Sequence, residues 1–165
     1  MTATSTAVRT GIGYDSHRFA PGGPLLLGGV AIPSDVHLVG HSDADAICHA
    51  LTDAILGAAG LGDIGELFPD TDAANAGRDS IVMLEAAVTR LAAAGWTVGN
   101  VDVTVICERP KLGPHRSAIR ERLAAALRAT TDAVSVKGKT NEGMGWIGAR
   151  EGLGVIAVAT ILRAS

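Results

Sequence analysis

The segment from His41 to Asp72 constrains the fold more than any other part of this 165-residue chain. Its first half has the apolar spacing of a helix that begins near Ser42 or Asp43, with Ser42-x-x-Asp45 resembling a capping box. Polar residues recur at every fourth position, and helical geometry places them on one face. They are His41, Asp45, His49 and Asp53. The sequence therefore predicts a packed helix whose polar stripe faces a ligand.

Two metal-competent side chains, Asp15 and His17, lie near the end of the first predicted strand. Residues two apart on an extended chain point to the same face. With His49 they supply one carboxylate and two imidazoles, a set that suits Zn²⁺ with an open fourth position. Each of these residues also has an interpretation without a metal. Asp15 and His17 could be a hydrogen-bonded pair in a turn, and His49 could be a helical histidine with ordinary hydrogen-bond partners.

Composition excludes several classes of function. The net charge of −3 and the pI near 5.9 give no basic surface for nucleic acid. No apolar run approaches the roughly 20 residues that span a membrane, and Cys48 and Cys107 are too few for a disulfide framework. In addition, no Ser or Cys of the sequence lies in a recognisable nucleophile elbow, so a nucleophilic triad is not indicated. We expect a cytoplasmic protein with a frayed or disordered N-terminus at residues 1–8 and one domain over residues 9–165.

The order of predicted elements is strand, strand, helix, helix, strand, helix, strand, strand, which predicts an α+β fold with helices on one face of a sheet. Residues 35–40 and 138–150 are expected to be connections. Besides the helix near Ser42, the predicted elements are strands at Thr10–Phe19, Leu25–Pro33, Trp96–Glu108, Asp132–Lys137 and Leu153–Leu162, and helices at Ser80–Gly95, with Ser80 as N-cap, and His115–Thr130.

Four ordered motifs resemble the family of 2-C-methyl-D-erythritol 2,4-cyclodiphosphate synthases over nearly the whole chain after Arg9. They read GIGYDSHRF, LVGHSDADAICHALTDAILGAAGLGDIGELFPDTD, NVDVTVICERPKLGPH and TNEGMGW with EGLGVIAVATIL. The resemblance implies a homotrimer with active sites between subunits and, in each subunit, a four-stranded mixed sheet with helices on one face plus a small N-terminal hairpin. It also implies a lyase of the non-mevalonate pathway of isoprenoid (terpenoid) biosynthesis. This lyase converts 4-diphosphocytidyl-2-C-methyl-D-erythritol 2-phosphate to the cyclic diphosphate and CMP.

The same resemblance assigns the metals and the catalytic residues. Asp15, His17 and His49 match the family's zinc ligands. Glu142 matches the carboxylate for a second divalent ion, Mg²⁺ or Mn²⁺, which prefers hard oxygen ligands. His41 and Thr140 match the two positions that stabilise the transition state.

Further positions match substrate contacts of the family. The predicted substrate-binding residues are Asp15, Ser16, His17, His41, Ser42, Asp63, Ile64, Gly65, Phe68, Pro69, Asp70, Thr71, Asp72, Lys139, Thr140, Asn141, Glu142 and Trp146. The predicted nucleotide-binding residues are Cys107, Glu108, Arg109, Pro110, Lys111, Leu112 and Gly113. Helical spacing further suggests that Asp45 and Asp53 orient His49, although a solvated acid is the alternative for each.

The chain departs from the family pattern at two places. Lys139 stands where many relatives carry Thr, and we expect the added cation to strengthen phosphate binding. In the family an Arg directly after a Gly, with an aromatic matching Trp146 and an acid matching Glu151, lines an axial cavity that can hold an isoprenoid diphosphate. Here Ala149 follows Gly148, and Arg150 reaches that place only after a register shift.

Two other functions use some of the same residues. One is a zinc-dependent hydrolase in which metal-bound water attacks a nucleotide diphosphate. The other is a non-enzymatic trimer that binds an isoprenoid diphosphate.

Overall fold

Seven strands are present in the computed structural model, which describes residues 7–164. Five of them form a mixed sheet in the order β4–β1–β7–β5–β6, where only the β5–β6 pair is parallel. The other two, β2 and β3, form a separate hairpin. The strands are β1 (Val8–Pro21), β2 (Leu25–Leu27), β3 (Val30–Ile32), β4 (Val36–Leu38), β5 (Trp96–Ile106), β6 (Val134–Lys139) and β7 (Gly152–Arg163).

The long helices cover one face of this sheet, so the predicted α+β architecture with a mixed sheet is confirmed. The helices are α1 (Ala46–Ala59), α2 (Ile64–Leu67), α3 (Ser80–Ala93), α4 (Arg116–Leu127) and α5 (Gly145–Gly148). Helix α1 packs on β1 and β7, α3 on α1 and β5, and α4 on β6 and α3. Alternate residues of the strands are buried under this layer, as at Val101, Val103 and Val105.

The predicted count of four strands is wrong, because residues 36–38 form a fifth strand instead of a connection. Leu38 pairs with Phe19 at the end of β1. Three residues with one buried side chain are too few to show a strand period in the sequence. The segment Leu25–Pro33 was expected to be one strand or hairpin arm, but it holds both strands of the β2–β3 hairpin. Its turn, Gly28–Gly29, has positive φ angles of 59° and 72°, which glycine adopts readily.

The predicted start of α1 is also wrong, and with it the four-residue polar stripe. The helix begins at Ala46, and its N-cap is Asp45, whose carboxylate accepts hydrogen bonds from the amides of Ile47 and Cys48. Of the four stripe residues, His41 and Asp45 precede the helix, and only His49 and Asp53 lie on it. The predicted N-cap of α3, Ser80, is also wrong, because Asp79, one residue earlier, caps this helix.

The remaining boundaries lie within a few residues of their predicted positions. Helix α4 is shorter than its predicted range, and the loop predicted at residues 138–150 includes the last residues of β6 and the short helix α5. Of the expected frayed N-terminus, residues 1–6 lie outside the described residues, while Val8 opens β1. None of the helices within residues 7–164 is long and apolar enough to cross a membrane.

Two glycines allow α1 to lie directly on β1. Gly11 and Gly13 alternate along the strand and face the helix backbone. A Cβ atom added to Gly13 would lie 1.9 Å from the carbonyl oxygen of Ala50, and one added to Gly11 would lie 2.1 Å from that of Ala54. Because side chains alternate, Asp15 and His17 continue the same face of β1 toward α1. The close contact therefore positions residues of both elements against one another.

We expect Gly13→Ala to destabilise the protein by about 1–3 kcal/mol or more, because the added methyl group overlaps the α1 backbone. The matched control is Gly57→Ala on the exposed side of α1, where an added Cβ meets nothing within 4 Å. That change should stabilise the protein by about 0.5–1 kcal/mol. Denaturant midpoints, measured at one protein concentration, report both effects. Equal midpoints for the two variants would contradict the close β1–α1 contact.

Candidate active site

Three side chains from β1 and α1 converge on one point. Asp15 Oδ2 lies 2.8 Å from His17 Nε2 and 3.1 Å from His49 Nδ1, and the two nitrogens are 3.3 Å apart. Atoms bound about 2.1 Å from a tetrahedral ion are about 3.4 Å from one another. The donor set of one carboxylate oxygen and two imidazole nitrogens, and its spacing, therefore fit a zinc ion that keeps an open position.

The far nitrogen of each histidine has its own partner. His17 Nδ1 lies 2.8 Å from the carbonyl oxygen of Val39, which can only accept a hydrogen bond, so this nitrogen carries the proton. His49 Nε2 lies 2.9 Å from both Ser42 Oγ and Ser80 Oγ. These contacts orient the rings so that Nε2 of His17 and Nδ1 of His49 face Asp15.

Electrostatics inside this group favour charged forms despite partial burial. Burial by itself raises the pKa of Asp15, but hydrogen bonds from His17 and His49 outweigh it and leave the pKa below its ordinary value. Burial also lowers the pKa of His17, but the hydrogen bond and the charge of Asp15, together with the hydrogen bond to Val39, outweigh this effect, so the net direction is upward. The carboxylate is thus ionised at neutral pH, as a metal ligand must be.

We call Asp15, His17 and His49 the candidate metal-binding group. A cleft of about 220 Å³ opens beside it and brings together most of the residues predicted around it. His41 and Ser42 enter from the loop before α1, and the segment 64–70 forms another wall. The lining residues are His17, His41, Ser42, His49, Ile64, Gly65, Phe68, Asp70, Asn75 and Met83. The predicted residues Asp63, Pro69, Thr71 and Asp72 belong to the same loop without lining the cleft.

Two acids of that loop have structural partners. Asp63 is the N-cap of α2 and accepts a hydrogen bond from the amide of Glu66 at 2.8 Å. Asp72 accepts one from the amide of Ala74 at 2.9 Å and begins a 3₁₀ turn. Both side chains therefore hold the shape of the loop.

A second cleft of about 220 Å³ contains the predicted nucleotide-binding segment, between the end of β5 and the end of β6. Its lining residues are Cys107, Glu108, Pro110, Lys111, Leu112, Gly113, Arg116, Gly138, Lys139 and Thr140. Arg109 instead lines a neighbouring cavity with Asp35 and Val36. Burial raises the pKa of the Cys107 thiol to about 11, so this side chain is neutral in the cleft.

The loop after β6 is ordered by its own hydrogen bonds. Glu108 accepts one from the amide of Asn141 at 2.9 Å, and the Thr140 hydroxyl donates to Glu142 Oε1 at 2.9 Å. Glu142 has a φ of +52°, a left-handed conformation that costs a non-glycine residue roughly 1–2 kcal/mol. Strain of this kind, when its surroundings maintain it, is concentrated at functional sites.

A third cleft, of about 200 Å³, is lined by Ser16, His17, Arg18, Trp146 and Glu151. The predicted residues Ser16 and Trp146 thus meet there, and an exposed Arg18–Glu151 ion pair at 3.7 Å spans it. Arg150, with φ of +60°, is not among the residues of the described chain that line this cleft.

The predicted roles of Asp45 and Asp53 beside His49 are wrong. Asp45 is fully buried and accepts hydrogen bonds from the amides of Gly28 and Gly29 in the β2–β3 turn, in addition to those at the start of α1. Asp53 accepts from the amide of Ile64 at 2.7 Å and so anchors the loop after α1. Their spacing from His49 suggested proximity, but the amides of other segments are closer partners.

Three residues of this region were not predicted from the sequence. Asn75 and Met83 line the first cleft, and Ser80 contacts His49. Ser80 had been explained as a helix cap, and since Asp79 provides the cap its hydroxyl is available for another partner. Because all three lie within or after the long connection between α2 and α3, local sequence spacing does not indicate their position relative to α1.

Asp15 and the cleft at the end of β6 lie at the same level of the sheet but on different strands. Asp15 pairs with Val155, Val155 with Val105, and Val105 with Gly138. Three strand spacings of about 4.8 Å separate β1 from β6 by about 14 Å. Within one chain, these two predicted halves of the site are therefore apart.

Comparisons with known proteins agree over nearly the whole chain. A model of the YgbB family matches residues 8–162. A Gemmatimonas aurantiaca protein named "2-C-methyl-D-erythritol 2,4-cyclodiphosphate synthase" is 72% identical over 158 residues, which cover 96% of this chain and 95% of that protein.

Solved structures share the fold. One described as "IspF (Plasmodium falciparum) CDP complex" superposes with a TM-score of 0.85 at 34% identity, covering 96% of this chain and 98% of the other. The bifunctional IspDF from Campylobacter jejuni gives a TM-score of 0.93 at 40% identity, where the match covers 96% of this chain and 43% of that longer one.

Asp15→Asn should weaken zinc binding by more than about 100-fold, because it replaces the only carboxylate in the metal-binding group by a neutral amide of similar size. The matched control is Asp53→Asn, which removes a carboxylate from α1 whose hydrogen bond goes to Ile64. Its zinc affinity should equal that of the wild type. Competition with a fluorescent chelator measures both variants, and equal losses in the two would contradict the assignment of Asp15.

Proposed function

The chain belongs to the YgbB family, and on that premise we propose that it converts 4-diphosphocytidyl-2-C-methyl-D-erythritol 2-phosphate to 2-C-methyl-D-erythritol 2,4-cyclodiphosphate and CMP. The reaction is an intramolecular attack of the 2-phosphate on the β-phosphorus, which places it among phosphorus–oxygen lyases. The observation that carries the proposal is the convergence of Asp15, His17 and His49 beside a cleft of about 220 Å³.

The reaction needs positive charge and positioning, because two anionic phosphates must approach each other while a third gathers charge. When bound, zinc at Asp15, His17 and His49 and Mg²⁺ or Mn²⁺ at Glu142 would supply Lewis-acid charge to the diphosphate. The chain's own residues then set the geometry. His41 and Ser42 line the cleft next to the metal-binding group, where their N–H and O–H groups can donate to phosphate oxygens.

Glu142 is proposed as the ligand of the second divalent ion, supported by its strained backbone and its exposed carboxylate. Its φ of +52° is a strained conformation for a non-glycine residue, of the kind that is concentrated at functional sites. Thr140 holds one carboxylate oxygen and leaves the other accessible. In its proposed catalytic role, the Thr140 hydroxyl exchanges this bond for one to a phosphate oxygen.

The nucleotide is proposed to bind in the second cleft, where Lys139 adds a cation at its edge. The neutral, buried Cys107 and the backbone from 107 to 113 suit an uncharged base better than a phosphate. Since this cleft lies about 14 Å across the sheet from the metal-binding group of the same chain, a cytidine diphosphate would reach both halves only where two subunits meet.

A homotrimer with active sites between subunits therefore forms part of the proposal. Its support is the sheet face away from the helices, where Ile12, Tyr14 and Ile156 are 69%, 58% and 37% exposed. Tyr14 pairs directly with Ile156 on the neighbouring strand, so these side chains form one apolar surface. Such a surface on a central part of the sheet is typical of a subunit interface.

An isoprenoid diphosphate on the trimer axis has weaker support in this chain. Trp146 and Glu151 share a cleft, but the cation beside them is Arg18, and it is engaged by Glu151. Arg150 would have to take the place of Arg18 as the cation that binds the diphosphate. We therefore do not include the axial ligand in the proposed function.

Incubation with the cytidylyl substrate and Mg²⁺ should release CMP and the cyclic diphosphate in equal amounts. Phosphorus NMR distinguishes the ring phosphates from linear products. Removal of zinc by a chelator should abolish turnover, and zinc should restore it. Linear phosphates formed by hydrolysis, without the cyclic product, would contradict the proposal and favour a zinc hydrolase.

Co-expression of His49→Ala and Glu142→Gln subunits tests whether sites are shared between subunits. Each variant alone should be inactive, since every site lacks one half. In a cyclic trimer of mixed subunits, about one site in three combines an intact metal half with an intact Glu142 half. The mixture should therefore recover a clear fraction of wild-type activity. A mixture as inactive as its parents, with mixed trimers verified by native mass spectrometry, would place each complete site within one chain.

A further inference from the structure

Behind His49, on the side away from Asp15, a second carboxylate is connected to the ring through a hydroxyl group. Ser80, fully buried at the first turn of α3, lies with its Oγ 2.9 Å from His49 Nε2. The same hydroxyl makes a short contact with Asp43 Oδ1, and the Ser80 amide donates to Asp43 Oδ2 at 2.9 Å. We call these three residues the Asp43–Ser80–His49 chain.

The direction of each hydrogen bond in this chain follows from the groups themselves. An ionised carboxylate can only accept, so the Ser80 hydroxyl donates its one proton to Asp43. The lone pairs of Ser80 Oγ are then left for His49 Nε2, which must carry the proton and donate it. A neutral imidazole with its proton on Nε2 has a free lone pair on Nδ1, and that nitrogen faces Asp15 and His17.

We propose that Ser80 and Asp43 are positioning residues that hold His49 in the Nε2–H tautomer with the Nδ1 lone pair aimed at the metal position. This inference rests on the metal site of the proposed function. Without the Asp43–Ser80–His49 chain of hydrogen bonds, Asp15 would favour the opposite tautomer of His49. Asp15 Oδ2 lies 3.1 Å from His49 Nδ1 and would accept a hydrogen bond from a proton on that nitrogen. Partners that fix the outer nitrogen of a ligand histidine typically contribute about 10–100-fold to metal affinity.

Ser42 does not make Ser80 redundant. Its Oγ also lies 2.9 Å from His49 Nε2, but it accepts from the amide of Ala44 and lines the substrate cleft. Ser42 Oγ lies 3.4 Å from Ser80 Oγ, so its nearest connection to the Asp43 carboxylate runs through Ser80. Only Ser80 has a carboxylate that fixes the direction of its hydroxyl, so the tautomer depends on Ser80 and Asp43.

Zinc affinity of the metal-free protein, measured by competition with a fluorescent chelator, tests this assignment. Ser80→Ala and Asp43→Asn should each weaken zinc binding by about 10–100-fold. The double variant should be no weaker than Ser80→Ala alone, because Asp43 acts through the Ser80 hydroxyl. Ser80→Thr, which keeps the hydroxyl, should bind more tightly than Ser80→Ala.

Asp79→Asn is the matched control. It removes the same charge one residue from Ser80, but the Asp79 side chain caps α3 through the amide of Ile81 and has no contact with His49 in the described chain. Its zinc affinity should stay within about twofold of the wild type. A loss as large as that of Asp43→Asn would show a general charge effect at the start of α3 and overturn the proposal.

The NMR signal of the His49 Nε2 proton in the zinc-loaded wild type adds a measurement that is independent of any variant's stability. Slow exchange of this proton with solvent supports a buried hydrogen bond to Ser80, and fast exchange overturns the proposal. Zinc affinity of folded Ser80→Ala equal to wild type would also overturn it, while leaving the proposed function intact. A wild-type protein that takes up no zinc would instead refute the metal site itself.

Discussion

The direct contact between β1 and α1 is the constraint on which the rest of the site depends. Gly11 and Gly13 have no side chains, so the backbone of α1 lies against the strand. The next residues on the same face, Asp15 and His17, then meet His49, which directly precedes Ala50 on α1. Any side chain at the glycine positions would move α1 by more than the few tenths of an ångström that metal coordination tolerates.

A buried carboxylate fixes where that helix begins. Asp45 has no exposure to solvent, and burial raises the pKa of its carboxyl while the surrounding amide N–H groups oppose this rise. It joins the Gly28–Gly29 turn to the first turn of α1. Asp43, two residues earlier, joins the same region to α3. These two acids therefore help to fix the position of His49, although neither carboxylate hydrogen-bonds to its imidazole ring in the described chain; Asp45 contacts His49 through its backbone carbonyl, which accepts from the His49 amide at 3.1 Å.

The separation of the two clefts within one chain supports the proposal that active sites form between subunits. Strand pairing places Asp15 and His17 on β1 and the proposed nucleotide cleft at β6, with β7 and β5 between them. The apolar surface around Tyr14 and Ile156 lies on the opposite face of the same strands. Assembly through that surface would cover it and bring a neighbour's cleft toward the metal-binding group, so oligomerisation and catalysis would depend on the same strands.

The sequence by itself determined the fold class, most of the long elements and the Asp15–His17 pair, because strand alternation and helical spacing are local properties. It also identified the family, whose motifs cover most of the chain. Tertiary structure alone decided the fifth strand, the start of α1 at Ala46 and the partners of Asp45, Asp53 and Ser80. Each of these depends on which backbone amide or hydroxyl from a distant segment comes within hydrogen-bonding distance. Spacing along the chain cannot report that, since the contacts form only when the layers pack.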